Sequence, residues 1–412
     1  MGLEHASAMT CIACGRTQRV GPRADCPDCG AENALEVTYD LEEVARTLDR
    51  PSLERREPWM WRFKELLPID ELADLPPLQV GMTPVYGAPR LASWLGLRGL
   101  WLKDESRAPS GSIDDRFAAL AAVRAGQKAA RRLALATRGP AAASLACFAA
   151  AIGARAVVFQ PADAPADRLA GAAVFDPVLL RVSGSLEDAR RLCLQAGERH
   201  GWYLAGGPER PYLAEGLKTA GLEIAEQLGE RMPDWIAVGV GDGETLAALH
   251  KGLREMHALG LARSIPKLLG VQARACAPLV TAFESGAALV PTTSGSSAAS
   301  RLCVEAPKAW RKALAAVRGS GGVLVAVDEA EIAEATRQTA RLGAVAADPS
   351  AACAIAGLRR AVAQGIIGGA ETALAVLTAF GQETGSAAHP IVVSAQLDEF
   401  EHQARSNELA ID

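Results

Sequence analysis

The sequence predicts an α/β protein of two three-layer open parallel-sheet domains, preceded by a small ribbon stapled by a metal ion. Three observations predict it. Strand-like and helix-like segments alternate from roughly residue 80 onward, four cysteines stand in two CxxC pairs near the start, and glycine-bearing loops recur where strand patterns give way to helix patterns. At 412 residues the chain exceeds what one core holds, so two or three domains are expected.

The ribbon comes first. CIACG and CPDCG place Cys11, Cys14, Cys26 and Cys29 in two pairs with eleven residues between them. Each CxxC turn aims two thiolates at one ion, and two turns complete a tetrahedral zinc site with no open coordination position, hence a structural one. Arg16, Arg19 and Arg23 lie between the pairs and are offset by Asp25, Asp28 and Glu32, which argues against a nucleic-acid ribbon. Residues 38–75 read as charged and amphipathic, with Trp59, Trp61 and Phe63 as packing anchors. LQVGMTPVYGAP then reads as loops and short strands.

After it the alternation begins. LRGLWLKDE predicts a strand, DDRFAALAAVRAG a helix, RRLALAT a strand, AAASLACFAAAIG a helix and ARAVVFQP a strand. PVLLRV and the helix SLEDARRLCLQAGERHG follow, then GLKTAGLEIAEQLG, the strand DWIAVGV and the helix TLAALHKGLREMHALG. KLLGVQA, GGVLVAV and ETALAVLTAFG continue the pattern.

Composition narrows the function classes. A net charge of −5 lacks the basic stripe that displaces counterions from phosphates, so nucleic acid is not an expected partner. No apolar run reaches the roughly 18 residues a membrane span needs, and the start carries no leader pattern, so the expected compartment is the cytoplasm. Cys147, Cys193, Cys276, Cys303 and Cys353 stand singly among apolar residues, as reduced thiols do in that compartment.

In open parallel sheets, ligands sit where strands end and glycine-bearing turns lead into helices. SGSIDDR, ATRGPAAAS and VGVGDGETL are three such connections, and together they predict one shared pocket.

WLKDESRAPSGSIDDR, RPYLAEGLKTAGLEIAEQLG, PDWIAVGVGDGETLAALHKGL, KLLGVQARACAPL and DPSAACAIAGL, in this order and spacing, resemble threonine synthases of the fold type II pyridoxal phosphate (PLP) family. The resemblance implies that fold, with a ribbon at 1–35, a large domain from 36–115 plus 206–412, and a small domain at 116–205. It implies a Schiff-base lysine in SGSIDDR at the place held here by Asp114, and a ring-contacting asparagine at the place held by Pro140. The implied cofactor-binding positions are Ser112, Gly139, Pro140, Gly241, Asp242, Gly243, Glu244, Thr245 and Thr378. Gly241, Asp242 and Gly243 correspond to the phosphate cradle, where Asp242 and Glu244 bring two carboxylates that oppose a dianion. Asp115, Arg116, Glu215, Lys218 and Thr219 keep family positions, and Lys103 and Lys218 match lysines the family has beside its Schiff-base lysine. Past Thr378 the likeness fades at Phe380 and Glu383.

A carboxylate cannot form an imine. The expected function is therefore a homologue that has lost Schiff-base catalysis and binds a small amino-acid-like ligand, as a partner protein or a homo-oligomer. The alternatives are a PLP-dependent lyase or synthase acting on an amino-acid phosphate, of the O-phosphohomoserine to threonine type, or an enzyme using Asp114 as general acid or base. Zinc is the expected metal, and PLP is the cofactor the resemblance implies.

Overall fold

The computed structural model describes residues 5–70, 73–139, 141–162, 164, 169–292 and 295–381. Strands β1 (Ala6–Cys11), β2 (Thr17–Gln18) and β3 (Leu35–Tyr39) form a small antiparallel sheet in the order β2-β1-β3. Then follow β4 (Val85–Gly87), β5 (Gly99–Asp104), β6 (Arg132–Ala136), β7 (Arg155–Pro161) and β8 (Val178–Val182). The last strands are β9 (Tyr203–Leu204), β10 (Trp235–Gly239), β11 (Lys267–Ala273), β12 (Val323–Val327) and β13 (Thr372–Leu377). They build a six-stranded sheet, β12-β11-β10-β13-β5-β4, and a four-stranded sheet, β8-β7-β6-β9. Every ladder in both is parallel except β4 against β5.

The strand sequences explain why both faces are covered. A parallel sheet between helices has no wet face, so its strands read as unbroken apolar runs, and all six residues of β13, TALAVL, are buried. Alternation then sorts them. Ile236, Val238, Leu374 and Val376 pack with Leu222 and Leu249 of the helices Arg210–Leu228 and Glu244–Ala258. Trp235, Ala237, Ala373 and Ala375 point the other way, against Ile355 and Leu358 of the helix Pro349–Ala363. The four-stranded sheet does the same: Leu133 and Val158 face Leu145, whereas Ala134, Val157 and Phe159 face Ala189 and Cys193.

Two elements differ from the pattern reading. The helix expected over GLKTAGLEIAEQLG begins six residues earlier at Arg210, with Pro211 in its first turn, where a missing N–H costs nothing. The two-residue strand β9 pairs with β6, too short to leave a periodic signal. Among the anchors expected in 38–75, Trp61 and Phe63 are buried and Trp59 is half-buried.

A charged core positions the loop that carries Asp114. Arg116 donates to Glu105 through Nε and Nη2 at 2.8 Å each, and to Glu223 at 2.6 and 2.7 Å. Lys103 Nζ reaches Glu223 Oε2 and the Thr83 carbonyl, both at 2.8 Å. All four charged side chains are fully buried. Two cations against two carboxylates leave no net charge, which is the condition for such a cluster to survive burial. It ties the end of β5 to the helices Asp114–Gln127 and Arg210–Leu228. Among the described residues no helix is long and apolar enough to cross a membrane.

Candidate functional site

The turn before the helix Asp114–Gln127 is sewn to the end of β13. Ile113 N–H donates to the Thr378 carbonyl at 2.8 Å, and Phe380 N–H to the Gly111 carbonyl at 2.9 Å. Asp114 therefore enters the first helical turn at a fixed place, its N–H held at 3.3 Å by Ser112 Oγ, and it stands on the wall of a cleft of about 840 Å³. Burial raises its carboxyl above the ordinary carboxylate range, with the charge of Arg301 working against that rise. Asp115 points elsewhere: its carboxylate accepts the Ser110 N–H at 2.6 Å and the Ser110 hydroxyl, which also meets Ser144 Oγ at 2.9 Å. The two neighbouring acids thus do separate jobs, as adjacent helical residues must.

The second connection contributes Thr137 and Ala141 to the cleft. Gly139 N–H bonds Thr137 Oγ1 at 3.1 Å, and Pro140 lies outside the described residues. The third connection holds the densest charge. Asp242 Oδ1 accepts the Lys308 N–H at 2.6 Å, and its Oδ2 pairs with the Arg210 guanidinium. The same Arg210 nitrogen lies 2.8 Å from Glu244 Oε2. Lys312 Nζ lies 3.4 Å from Glu244 Oε1, and Asn33 Nδ2 is also 3.4 Å from Oε2. Burial would raise both acids, but Arg210 and Arg190 hold Asp242 below the ordinary range, and Lys312 and Arg210 do the same for Glu244.

Arg210 sits between the two carboxylates and outweighs their mutual repulsion, which still works to raise Glu244. Gly243 has its own reason to be glycine. Its φ is +95°, and a Cβ there would lie 2.8 Å from the Ala313 methyl. The loop is tight because the helix Trp310–Gly319 packs on it.

Of the sequence-predicted positions, Asp114, Asp242 and Glu244 come together on the cleft wall, whereas Ser112, Gly139, Gly241, Gly243, Thr245 and Thr378 are not among its described lining residues. Neither buried lysine lines it. Lys103 is spent on Glu223, and Lys218 pairs with Glu215 at 2.5 Å and Glu255 at 2.7 Å. Sequence reading missed Arg190, Arg210 and Lys308, and also the ribbon residues Arg23, Asp25 and Asn33, all on the wall. Arg210 opens one of the stretches that carry the resemblance, Arg190, Lys308, Arg23 and Asp25 signal only by charge, and neutral Asn33 carries no signal at all.

In the ribbon, Gly15 N–H bonds the Cys11 carbonyl at 2.8 Å and Gly30 N–H the Cys26 carbonyl at 2.9 Å, giving two matching turns. Cys11 and Cys29 sulfurs lie 3.7 Å apart, Cys14 and Cys26 sulfurs 3.8 Å, and all four within 4.8 Å of one another. A zinc–sulfur bond of about 2.3 Å sets a tetrahedral edge of about 3.8 Å, so the four thiols fit one metal ion.

The pyridoxal-phosphate dependent enzyme family profile matches residues 77–379. The threonine synthase of Methanosarcina acetivorans is 34% identical over 373 residues, covering 90% of each chain. That of Methanocaldococcus jannaschii is 32% identical, covering 92% of this chain and 93% of its own. Among solved structures, the serine racemase of maize superposes with a TM-score of 0.63 at 17% identity, covering 79% of this chain and 93% of that one, which bears on the fold alone. With a profile match across most of the chain and full-length relatives above 30% identity, this protein belongs to the family of pyridoxal-phosphate dependent enzymes with fold type II architecture.

Proposed function

We propose that this chain is a family member whose cleft holds a small amino-acid-like ligand without forming an imine, acting as a ligand-binding or partner protein. The observation that carries the reading is Asp114, a carboxylate on the cleft wall at the place where the resemblance implies an amine. Imine formation needs a nucleophilic nitrogen. Lys103 and Lys218 are held by buried carboxylates away from the wall, so neither supplies one. Asp114, Lys103 and Lys218 therefore do not fit a covalently anchored pyridoxal phosphate. Interspersed charges of both signs, among them Asp114, Arg190, Arg210 and Lys308, suit a small zwitterion in a concave site. Zinc held by Cys11, Cys14, Cys26 and Cys29 would be structural, since four thiolates leave no open position.

A second reading rests on the identity to threonine synthases over nine-tenths of the chain. It makes the protein a PLP-dependent lyase or synthase acting on O-phosphohomoserine. That reading needs an amine in the cleft, and Lys308 is the lysine on its described wall. Borohydride reduction after incubation with pyridoxal phosphate, followed by mass mapping, separates the two. The first reading expects no adduct. An adduct on Lys308 or any other residue, together with steady turnover of O-phosphohomoserine, would establish the second.

A further inference from the structure

Arg210 is the cation the cleft has already used. Its guanidinium lies within ion-pair distance of both Asp242 and Glu244, and two more cations face the same carboxylates, Lys312 across 3.4 Å to Glu244 and Arg190 through the field that holds Asp242 down. Arg210, Asp242 and Glu244 have side chains only 14–22% exposed, so water screens these charges weakly. Without the two acids, Arg210 and Arg190 on the cleft wall, with Lys312 buried behind Glu244, would leave that part of the cleft cationic and open to an oxyanion. With them, the place is filled from within the chain.

We propose that Asp242 and Glu244 are a built-in counter-anion that selects against phosphorylated ligands, so the cleft takes an unphosphorylated one. This rests on the reading of the cleft as a ligand site and adds its charge specificity. A phosphate dianion entering beside Arg210 would have to displace two carboxylates that the fold holds in place, and it would meet their repulsion as well as Arg210's attraction.

The test uses inorganic phosphate, which carries no aldehyde and so cannot report on imine formation. The quantity read by calorimetry is the phosphate affinity that disappears on Arg210→Gln. In the parent this component should be absent. In Asp242→Asn/Glu244→Gln it should rise at least about tenfold above the parent's limit and weaken with salt. Asn at 242 can still accept the Lys308 N–H, and circular dichroism with thermal melting checks that the variant is folded. If the double variant does not fold, Glu244→Gln alone, which leaves Asp242 intact, should show a smaller gain of the same component. Arg210-dependent phosphate binding by the parent would overturn the proposal, and so would a folded variant that gains none.

Discussion

Asp115 is an acid that the fold pushes up to about 6, because burial outweighs the donors at Ser110. Its folded pKa lies above the unfolded value of 3.8, so its contribution to stability is fully present below about pH 4 and lost as the pH rises through 6. His250 acts in the opposite sense. Burial and Arg254 lower it from 6.5 to about 4, so its contribution is present above 6.5 and lost as the pH falls towards 4. The two partly cancel in the parent, so the diagnostic quantity is a difference. Urea unfolding of parent and Asp115→Asn across pH 3.5–7 should show their stability gap changing by about 3 kcal/mol, two pKa units at about 1.4 kcal/mol each. A gap that stays constant across that range would mean Asp115 titrates normally. None of this was legible in the sequence, where Asp114 and Asp115 are simply two acids at a helix start. Which of them faces Ser110 and which faces the cleft is set by the turn sewn to Thr378.

Helix contact is the next scale. The helices Arg210–Leu228 and Glu244–Ala258 cross where Gly221 and Gly252 meet the opposing backbones. A Cβ on Gly252 would lie 2.4 Å from the Lys218 carbonyl oxygen, and one on Gly221 2.4 Å from the Leu249 carbonyl oxygen. Neither neighbour is a side chain that can swing aside, so the helices would have to separate. Gly252→Ala should cost about 1–3 kcal/mol despite its better helix propensity, read as a fall in the denaturation midpoint at unchanged m-value. A stabilised variant would show that the helices yield. Close packing here also sets the position of Arg210 relative to Glu244, each the first residue of its helix. The helical pattern of both segments was readable from sequence, but the early start at Arg210 was not. Pro211 looks like a breaker until its place in the first turn is known.

At the scale of the whole molecule, the ribbon is a wall of the cleft as well as a cap. Tyr212 Oη bonds the Gly21 carbonyl at 2.7 Å, and Tyr39 Oη bonds Glu215 at 2.8 Å with Lys218 Nζ 4.0 Å over its ring. Arg23, Asp25 and Asn33 then reach the cavity. A ribbon of this size has little core of its own, so a bound ion would supply much of its order. Chelation should release metal detected by a colorimetric indicator. It should also speed tryptic cutting after Arg19 and Arg23 by at least about tenfold, while most of the far-ultraviolet dichroism persists. Cutting that is indifferent to chelator would show that docking alone holds the ribbon.

The sequence by itself determined the longer strands of the two parallel sheets, the cysteine pairs and the carboxylate at position 114. Each of these depends on neighbours a few positions away, through side-chain alternation, metal-ligand spacing or residue identity. Tertiary structure alone decided that Arg210 would neutralise Asp242 and Glu244, and that Asn33 would approach Glu244 from 211 residues away. A charge pair forms wherever the backbone brings two side chains within about 4 Å, and no local rule encodes which distant segments will cross.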